Sequence, residues 1–116
     1  MRRVAVTDGM AQEAVKKLEN AGCEVVQQFI EHDDLVSGAL GEFDAVIIRS
    51  ATKITSEMLD ASLPRLKVVA RAGVGVDNID IEAASRHGLP VVNAPRASTQ
   101  SVVELTIAHL LGSLRF

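Results

Sequence analysis

Ala45-Val46-Ile47-Ile48 is the stretch that decides the fold of this chain of 116 residues. Three of its four side chains are β-branched, and none is polar. A strand with apolar side chains on both faces is typical of the middle of a parallel sheet, where helices cover each side. The stretch therefore predicts an α/β fold in which this strand lies at the centre of the sheet.

Further short apolar runs lie on both sides of this strand and alternate with segments of helical period. Such alternation is typical of βαβ units with parallel strands. We expect a doubly wound sheet of five parallel strands with flanking helices, in the common order 2-1-3-4-5. The predicted strands are residues 4–6, 24–28, 45–48, 66–70 and 91–92, and the predicted helices are residues 10–20, 33–40, a segment between Thr55 and Pro64, and 81–87.

Polar and glycine residues mark the expected helix ends. Thr55 and Asp80 are suited to N-capping because their side-chain oxygens can accept a hydrogen bond from a free backbone N–H. Gly22, Gly41 and Gly88 follow helical segments, where glycine adopts the left-handed conformation at little cost.

The last segment, residues 98–116, is apolar on almost every side of a helix. A helix of this kind is buried in something, so we expect a partner that the chain does not contain. Residues 98–116 are therefore predicted to form a long apolar helix. Glu104 in this helix is interpreted either as a half-buried carboxylate paired with a base or, more simply, as a first-turn residue favoured by the helix dipole.

Composition argues against several classes of protein. The net charge is −3 with both signs interspersed, so no broad positive field is expected for nucleic acid. No apolar run approaches the roughly 20 residues of a membrane span, and none resembles a signal peptide. The single cysteine, Cys23, is interpreted as a buried or half-buried hydrophobe. We expect a soluble, cytoplasmic protein without nucleic-acid or membrane partners.

Candidate ligand-binding residues follow the predicted strands. In an open parallel sheet, ligands bind outside the carboxyl ends of the strands. Because the third and fourth strands are neighbours in the expected order, Arg49 and Arg71 should share one rim. The loops at that edge are Asp8-Gly9, residues 49–52, residues 71–77 and residues 93–95.

The loop Gly73-Val74-Gly75 resembles the dinucleotide pattern G-x-G-x-x-G, but Asn78 occupies the sixth position. We therefore expect it to hold something smaller than a pyrophosphate. With Arg49, Ser50 and Arg71, its backbone N–H groups would suit a small anion carrying a carboxylate, a phosphate or both. The alternative is a tight strand-to-helix turn beside surface arginines.

Other kinds of site find little support. His32 and His87 are expected to be solvated and His109 packed, and no spaced Cys or His cluster predicts a metal site. No serine lies in the G-x-S-x-G setting of a nucleophile. A receiver-type signalling domain would need an aspartate after the third strand and a lysine after the fifth, where this chain has Arg49 and Asn93.

Three strings occur in order along the chain, namely VIIRSATKIT at 46–55, LKVVARAGVGVDNIDIEAASRHGLPVVNAP at 66–95 and STQSVVELTIAHLL at 98–111. Together they resemble the N-terminal part of the D-2-hydroxyacid dehydrogenases, and most of all the phosphoglycerate dehydrogenases among them. The likeness covers about the whole chain. It implies that residues 1–97 form the flavodoxin-like substrate-binding lobe of an NAD-dependent enzyme. Residues 98–116 would start the hinge helix to an absent Rossmann domain.

The resemblance also implies roles for individual residues. The substrate side of the cleft would be lined by Arg49, Ser50, Arg71, the loop Gly73, Val74 and Gly75, and Asn93, and Val74 could also contact the nicotinamide of NAD. The catalytic Arg, Glu and His of the family lie in the cofactor lobe. No catalytic residue is therefore expected in this chain.

The function implied is oxidation of 3-phosphoglycerate to 3-phosphohydroxypyruvate in L-serine biosynthesis by a homo-oligomer, of which this fragment alone is inactive. Another D-2-hydroxyacid dehydrogenase, such as a glycerate or hydroxypyruvate reductase, is an alternative. So is a non-catalytic module that binds a small acid or, like a corepressor, a partner.

Overall fold

The chain folds as alternating strands and helices. The computed structural model describes residues 2–9, 12–72, 78–94 and 99–115. The strands are β1 Arg2–Val6, β2 Cys23–Gln27, β3 Ala45–Ile48, β4 Val68–Ala72 and β5 Val91–Ala94. The helices are α1 Gln12–Asn20, α2 His32–Val36, α3 Ser56–Ser62, α4 Ile81–Arg86 and α5 Thr99–Arg115, and a 3-10 turn, Ala39–Glu42, follows α2.

The five strands form one parallel sheet in the order β2-β1-β3-β4-β5. This is the flavodoxin-like order that the sequence predicts. β3 lies at the centre, and all four of its residues are buried. The expected position and bounds of the central strand are thus confirmed.

Two apolar cores lie on opposite faces of the sheet, because successive side chains of a strand alternate between faces. Val46 and Ile48 belong to the core under α2, α3 and α4. Ala45 and Ile47 belong to the core under α1 and α5. The first core also contains Leu40, Met58, Leu59 and Ala83, and the second contains Val4, Leu18, Val68 and Val103.

Both predicted N-caps are present. Met58 N donates to Thr55 Oγ1 at 3.4 Å, and Ala83 N donates to Asp80 Oδ1 at 2.9 Å. The local sequence signal was sufficient here because a capping bond spans only three residues.

The segment after β2 differs from the prediction of one helix over residues 33–40 ending at Gly41. α2 ends at Val36, and Gly41 lies inside the 3-10 turn. Gly38 separates the two with a φ of 100°, and a Cβ there would lie 3.1 Å from Ala61 O. Only glycine fits this backbone conformation without strain and this close approach to α3.

α5 packs against β4, β5 and α1. Val103, Thr106 and Leu110 are buried, whereas Leu105 is 40% and Leu111 50% exposed. One side of the helix is therefore buried, although its sequence is apolar almost all round. Its role as a hinge stays a prediction, as does the division at residue 97, because residues 95–98 and 116 lie outside the described residues.

Glu104 joins α5 to α1 through an ion pair of 3.1 Å between its Oε1 and Lys17 Nζ. The carboxylate is thus paired with a base, as one interpretation expected, and the simpler interpretation is wrong because Glu104 lies beyond the first turn of α5. It is 59% exposed rather than half-buried.

No helix among the described residues is both long and apolar enough to cross a membrane.

Truncating either isoleucine of the central strand should destabilise the fold. Ile47 is 1% and Ile48 0% exposed, and each leaves a cavity when changed to Ala. We expect Ile47→Ala and Ile48→Ala each to lower the free energy of unfolding by about 2–5 kcal/mol in urea denaturation. Ile81→Ala is the control, since Ile81 is 41% exposed on α4 and its change should cost less than about 1 kcal/mol. If Ile47→Ala or Ile48→Ala lowered the free energy of unfolding by less than about 1 kcal/mol, burial of both faces of β3 would be contradicted.

Cys23 should react slowly with thiol reagents. It is 7% exposed at the start of β2, and burial raises the pKa of its thiol, an effect that Asp44 adds to and Arg2 opposes. We expect the pH at which iodoacetamide labelling accelerates to lie higher for the folded chain than for the chain in urea.

The same pKa shift links Cys23 to stability. The unfolded thiol ionises first, so its contribution to stability is complete below the ordinary thiol pKa of about 8.5 and is lost as pH rises through the folded pKa. Cys23→Ser should abolish this part of the pH dependence of unfolding. If the pH at which labelling accelerates were the same for the folded and the unfolded chain, the pKa of Cys23 would not be raised by folding.

Candidate functional site

The carboxyl ends of the parallel strands meet at one edge of the sheet, and three of the predicted site residues lie along it. Arg49 follows β3 directly. In the strand register, Ile48 pairs with Arg71, and Arg71 pairs with Asn93. The structure therefore brings Arg49, Arg71 and Asn93 to the same rim.

These rim residues differ in exposure. Arg49 and Ser50 are exposed, whereas Arg71 and Asn93 are half-buried. The other predicted site residues, Gly73, Val74 and Gly75, lie outside the described residues. Their expected part in holding an anion stays a prediction.

Asp8, which follows β1, holds one side of the turn at residues 49–52. Its Oδ2 accepts hydrogen bonds from Arg49 N at 2.7 Å and from Thr52 N at 3.0 Å. Its Oδ1 accepts one from Thr52 Oγ1 at 2.5 Å. Hydrogen bonds to an ionised carboxylate are among the stronger ones in proteins. Asp8 thus joins the end of β1 to the turn that carries Arg49.

A buried hydroxyl pair extends this network. Thr52 Oγ1 lies 2.9 Å from Thr7 Oγ1, and the two residues are 2% and 3% exposed. Each hydroxyl has one proton to donate. Because the carboxylate of Asp8 is the stronger acceptor, Thr52 donates to it and accepts from Thr7. Both buried hydroxyls are then satisfied.

Asn78, which follows β4 in the chain, holds the other side of the same turn. Its Nδ2 donates to Arg49 O at 2.7 Å and to Thr52 O at 2.6 Å. Both neighbours are carbonyl oxygens, so the nitrogen of the amide must face them. Ile54 N in turn donates to Asn78 O at 2.8 Å. The segments after β3 and β4 are thus tied together.

Sequence reasoning missed this role of Asp8, Thr52 and Asn78. Asp8 and Thr52 stood in the loops expected at the binding edge, which was the available signal for them. Asn78 was noted only as the residue that breaks G-x-G-x-x-G. Nothing in its local sequence points to backbone carbonyls 26 and 29 residues away.

Two amide oxygens at this edge are buried and accept no hydrogen bond from the residues that the structure describes. They are Asn78 Oδ1 and Asn93 Oδ1. Buried polar atoms are usually paired. Asn93 therefore carries an acceptor at the rim that is suited to a hydroxyl or N–H donor.

The histidines lie away from this group of residues. His32 begins α2 and is exposed, as expected, and His109 is half-buried on α5. His87 follows α4, with its Nε2 2.6 Å from Asp60 Oδ1 and its side chain 32% exposed. Within the described ranges, no three His, Cys, Asp or Glu side chains are grouped so as to hold a metal ion.

Comparison with known proteins identifies relatives of this chain. Residues 4–110 match the family described as D-isomer specific 2-hydroxyacid dehydrogenase, catalytic domain. D-3-phosphoglycerate dehydrogenase of Methanocaldococcus jannaschii is 42% identical over 99% of this chain and 22% of its own length. The enzyme of the same name from Bacillus subtilis is 41% identical over 99% of this chain and 21% of its own. Hydroxypyruvate reductase of Thermotoga maritima is 40% identical over 97% of this chain and 37% of its own.

Solved structures with the same fold are also found. A protein from Thermus thermophilus superposes with a TM-score of 0.73 and 32% identity, over 95% of this chain and 36% of its own. An acyclic imino acid reductase, solved with NADPH and D-Arg, superposes with a TM-score of 0.68 and 25% identity, over 91% of this chain and 35% of its own. The present chain spans about a fifth to two fifths of the length of these relatives. Since the family match covers nearly all of it, the chain belongs to the D-isomer specific 2-hydroxyacid dehydrogenase family.

Proposed function

We propose that this chain is the substrate-binding part of an NAD-dependent D-3-phosphoglycerate dehydrogenase. The whole enzyme would oxidise 3-phosphoglycerate to 3-phosphohydroxypyruvate in L-serine biosynthesis. The observation that carries the proposal is the position of Arg49 and Arg71 at the ends of the neighbouring strands β3 and β4. Two relatives of that name, 42% and 41% identical, support it.

Two arginines on adjacent strands suit a substrate with two anionic groups. Neighbouring strands lie roughly 5 Å apart, and a guanidinium can bind a carboxylate or a phosphate through two parallel hydrogen bonds. 3-Phosphoglycerate has one group of each kind. A simple monocarboxylic acid would need only one of these cations.

The role of this chain in the reaction is to bind and orient the acid. We assign the substrate contacts to Arg49, Ser50, Arg71, Asn93 and the loop Gly73-Val74-Gly75. Holding the carboxylate and the phosphate would place the hydroxyl-bearing carbon at a fixed position, which lowers the entropic cost of the reaction. The groups that move the hydroxyl proton belong to the part of the enzyme outside this chain, so the chain alone is expected to be inactive.

The described residues do not themselves fit NAD. Asn78 stands where a dinucleotide loop needs a small residue, and its amide is used on Arg49 O and Thr52 O. When bound, NAD would accept the hydride. We propose that it binds mainly to a domain outside this chain, with Val74 as the one contact assigned here.

Hydroxypyruvate reductase is the second candidate. The Thermotoga maritima enzyme of that name is 40% identical over 97% of this chain. Its named substrate carries no phosphate, so this function would offer no phosphate for Arg71 to bind. For either candidate we propose a cytoplasmic homo-oligomer that acts on a small acid, without nucleic-acid or membrane partners.

Replacing Arg71 should separate the two candidates. In the whole enzyme, we expect Arg71→Ala to raise KM for 3-phosphoglycerate about 10- to 100-fold, because hydrogen bonds to a charged group are lost from the bound ground state. KM for D-glycerate, the same acid without the phosphate, should change less than about 3-fold. Steady-state kinetics with both substrates measures the difference.

Arg65→Ala provides the matched control. Arg65 precedes β4 at the opposite edge of the sheet, 3.5 Å from Asp44 through its Nη2, and its side chain is 44% exposed. Its removal should leave both KM values unchanged. Equal increases for both substrates in Arg71→Ala would reject the phosphate assignment, and a wild type that prefers D-glycerate and hydroxypyruvate would favour the second candidate.

A further inference from the structure

The turn at residues 49–52 has its backbone fixed from two sides by side chains outside it. Asp8 accepts the N–H groups of Arg49 and Thr52. Asn78 donates to the carbonyl groups of the same two residues. Beyond the end of a strand, the backbone polar groups no longer find partners in the sheet, and here side chains supply them.

For Arg49 this arrangement fixes both neighbouring peptide units. Its N–H donates to Asp8 Oδ2 at 2.7 Å, and its carbonyl accepts from Asn78 Nδ2 at 2.7 Å. Holding the peptide planes on both sides of a Cα restricts φ and ψ. The direction of the Cα–Cβ bond is thereby set, and with it the region that the guanidinium can reach.

Among the described residues, no carboxylate forms an ion pair with the guanidinium of Arg49. The Asp8 carboxylate directs its oxygens at two backbone N–H groups and one hydroxyl. Asp8 therefore orders the turn without neutralising the cation on it.

We propose that Asp8 and Asn78 are positioning residues that hold Arg49 in the orientation in which it binds the anionic substrate. This inference rests on the binding role of Arg49 under the proposed function. Neither residue contacts substrate in this proposal. Each acts through the backbone of Arg49.

Removing Asp8 in the whole enzyme should weaken substrate binding more than it slows turnover. We expect Asp8→Ala to raise KM for 3-phosphoglycerate about 10-fold or more while kcat changes less than about 3-fold, because a bound-state contact is misplaced. Asp8→Asn should restore KM to within about 3-fold of the wild type. The asparagine oxygen can still accept both N–H groups, and its NH2 can donate to Thr52 Oγ1.

Asp44→Ala is the matched control, because Asp44, like Asp8, is a carboxylate that accepts a hydrogen bond from the backbone of another segment. Asp44 Oδ2 accepts from Arg3 N at 2.8 Å, at the opposite edge of the sheet. This variant should lower Tm to an extent comparable with Asp8→Ala but leave KM unchanged. A rise in KM in both variants would show a general loss of structure and overturn the proposal.

A double-mutant cycle with Arg49→Ala separates positioning from stability. If Asp8 acts through Arg49, Asp8→Ala should raise KM by less than about 2-fold once Arg49 is already alanine. Asn78→Ala, cycled in the same way, should show the same non-additivity and serves as the second variant if Asp8→Ala does not fold. If the wild type oxidises 3-phosphoglycerate but the effects of the two substitutions on KM are fully additive, the positioning role is wrong and the proposed function stands.

Amide hydrogen exchange tests the same contacts without turnover. In the whole enzyme, Asp8→Ala should accelerate exchange at the N–H groups of Arg49 and Thr52, and Asp44→Ala should not. If the wild type showed no activity on 3-phosphoglycerate but this pattern of exchange appeared, the proposed substrate would be wrong and the ordering of the Arg49 turn would stand. Unchanged exchange in Asp8→Ala would overturn the inference.

Discussion

Burial of both faces of β3 is the constraint on which the rest of the structure depends. Its four side chains have no exposed face, so α2, α3 and α4 must cover one side and α1 and α5 the other. β1 and β4 take up its two backbone edges. The segment that follows β3 therefore begins at the middle of the carboxyl edge of the sheet, between the ends of β1 and β4. Asp8 lies two residues beyond β1 and can therefore bond the turn that follows β3, and Asn78, later in the chain than β4, bonds the same turn.

The turn at residues 49–52 also shows how a polar segment is accommodated against a core. Thr52 is 2% exposed, so its backbone and hydroxyl cannot rely on bulk water. Asp8, an acceptor, meets the N–H groups and the hydroxyl, and Asn78, through its NH2, meets the carbonyls. The two side chains have different requirements. An amide at position 8 could still accept, whereas a carboxylate at position 78 would face two carbonyl oxygens and be repelled.

Features set by neighbouring residues were predictable from the sequence. The bounds of β3 followed from an unbroken apolar run, and the caps at Thr55 and Asp80 followed from bonds over three residues. The break of α2 at Gly38 was not predictable, because it depends on the approach of Ala61 from α3. The exposed side of α5 was missed for a similar reason, since composition does not say which face of an apolar helix meets the sheet.

The rim was predictable in part because strand order is enough to bring residues at strand ends together. Arg49 and Arg71 could be placed on one edge from the expected order of β3 and β4 alone. The contacts that orient Arg49 could not, because they join residues 41 and 29 positions apart and end on backbone atoms. Such contacts are independent of the side-chain pattern on which sequence reasoning relies.

Asn78 connects the departure from a nucleotide-binding motif with the proposed use of the site. A glycine at the sixth position of G-x-G-x-x-G lets a helix pack closely on its strand beside a pyrophosphate. A glycine at position 78 would leave Arg49 O and Thr52 O without the Nδ2 that bonds both. The requirements of a dinucleotide cradle and of a fixed Arg49 turn are therefore incompatible at this position. Under the proposed function, the residue that departs from the dinucleotide pattern is also the one that holds the neighbouring turn for a small acid.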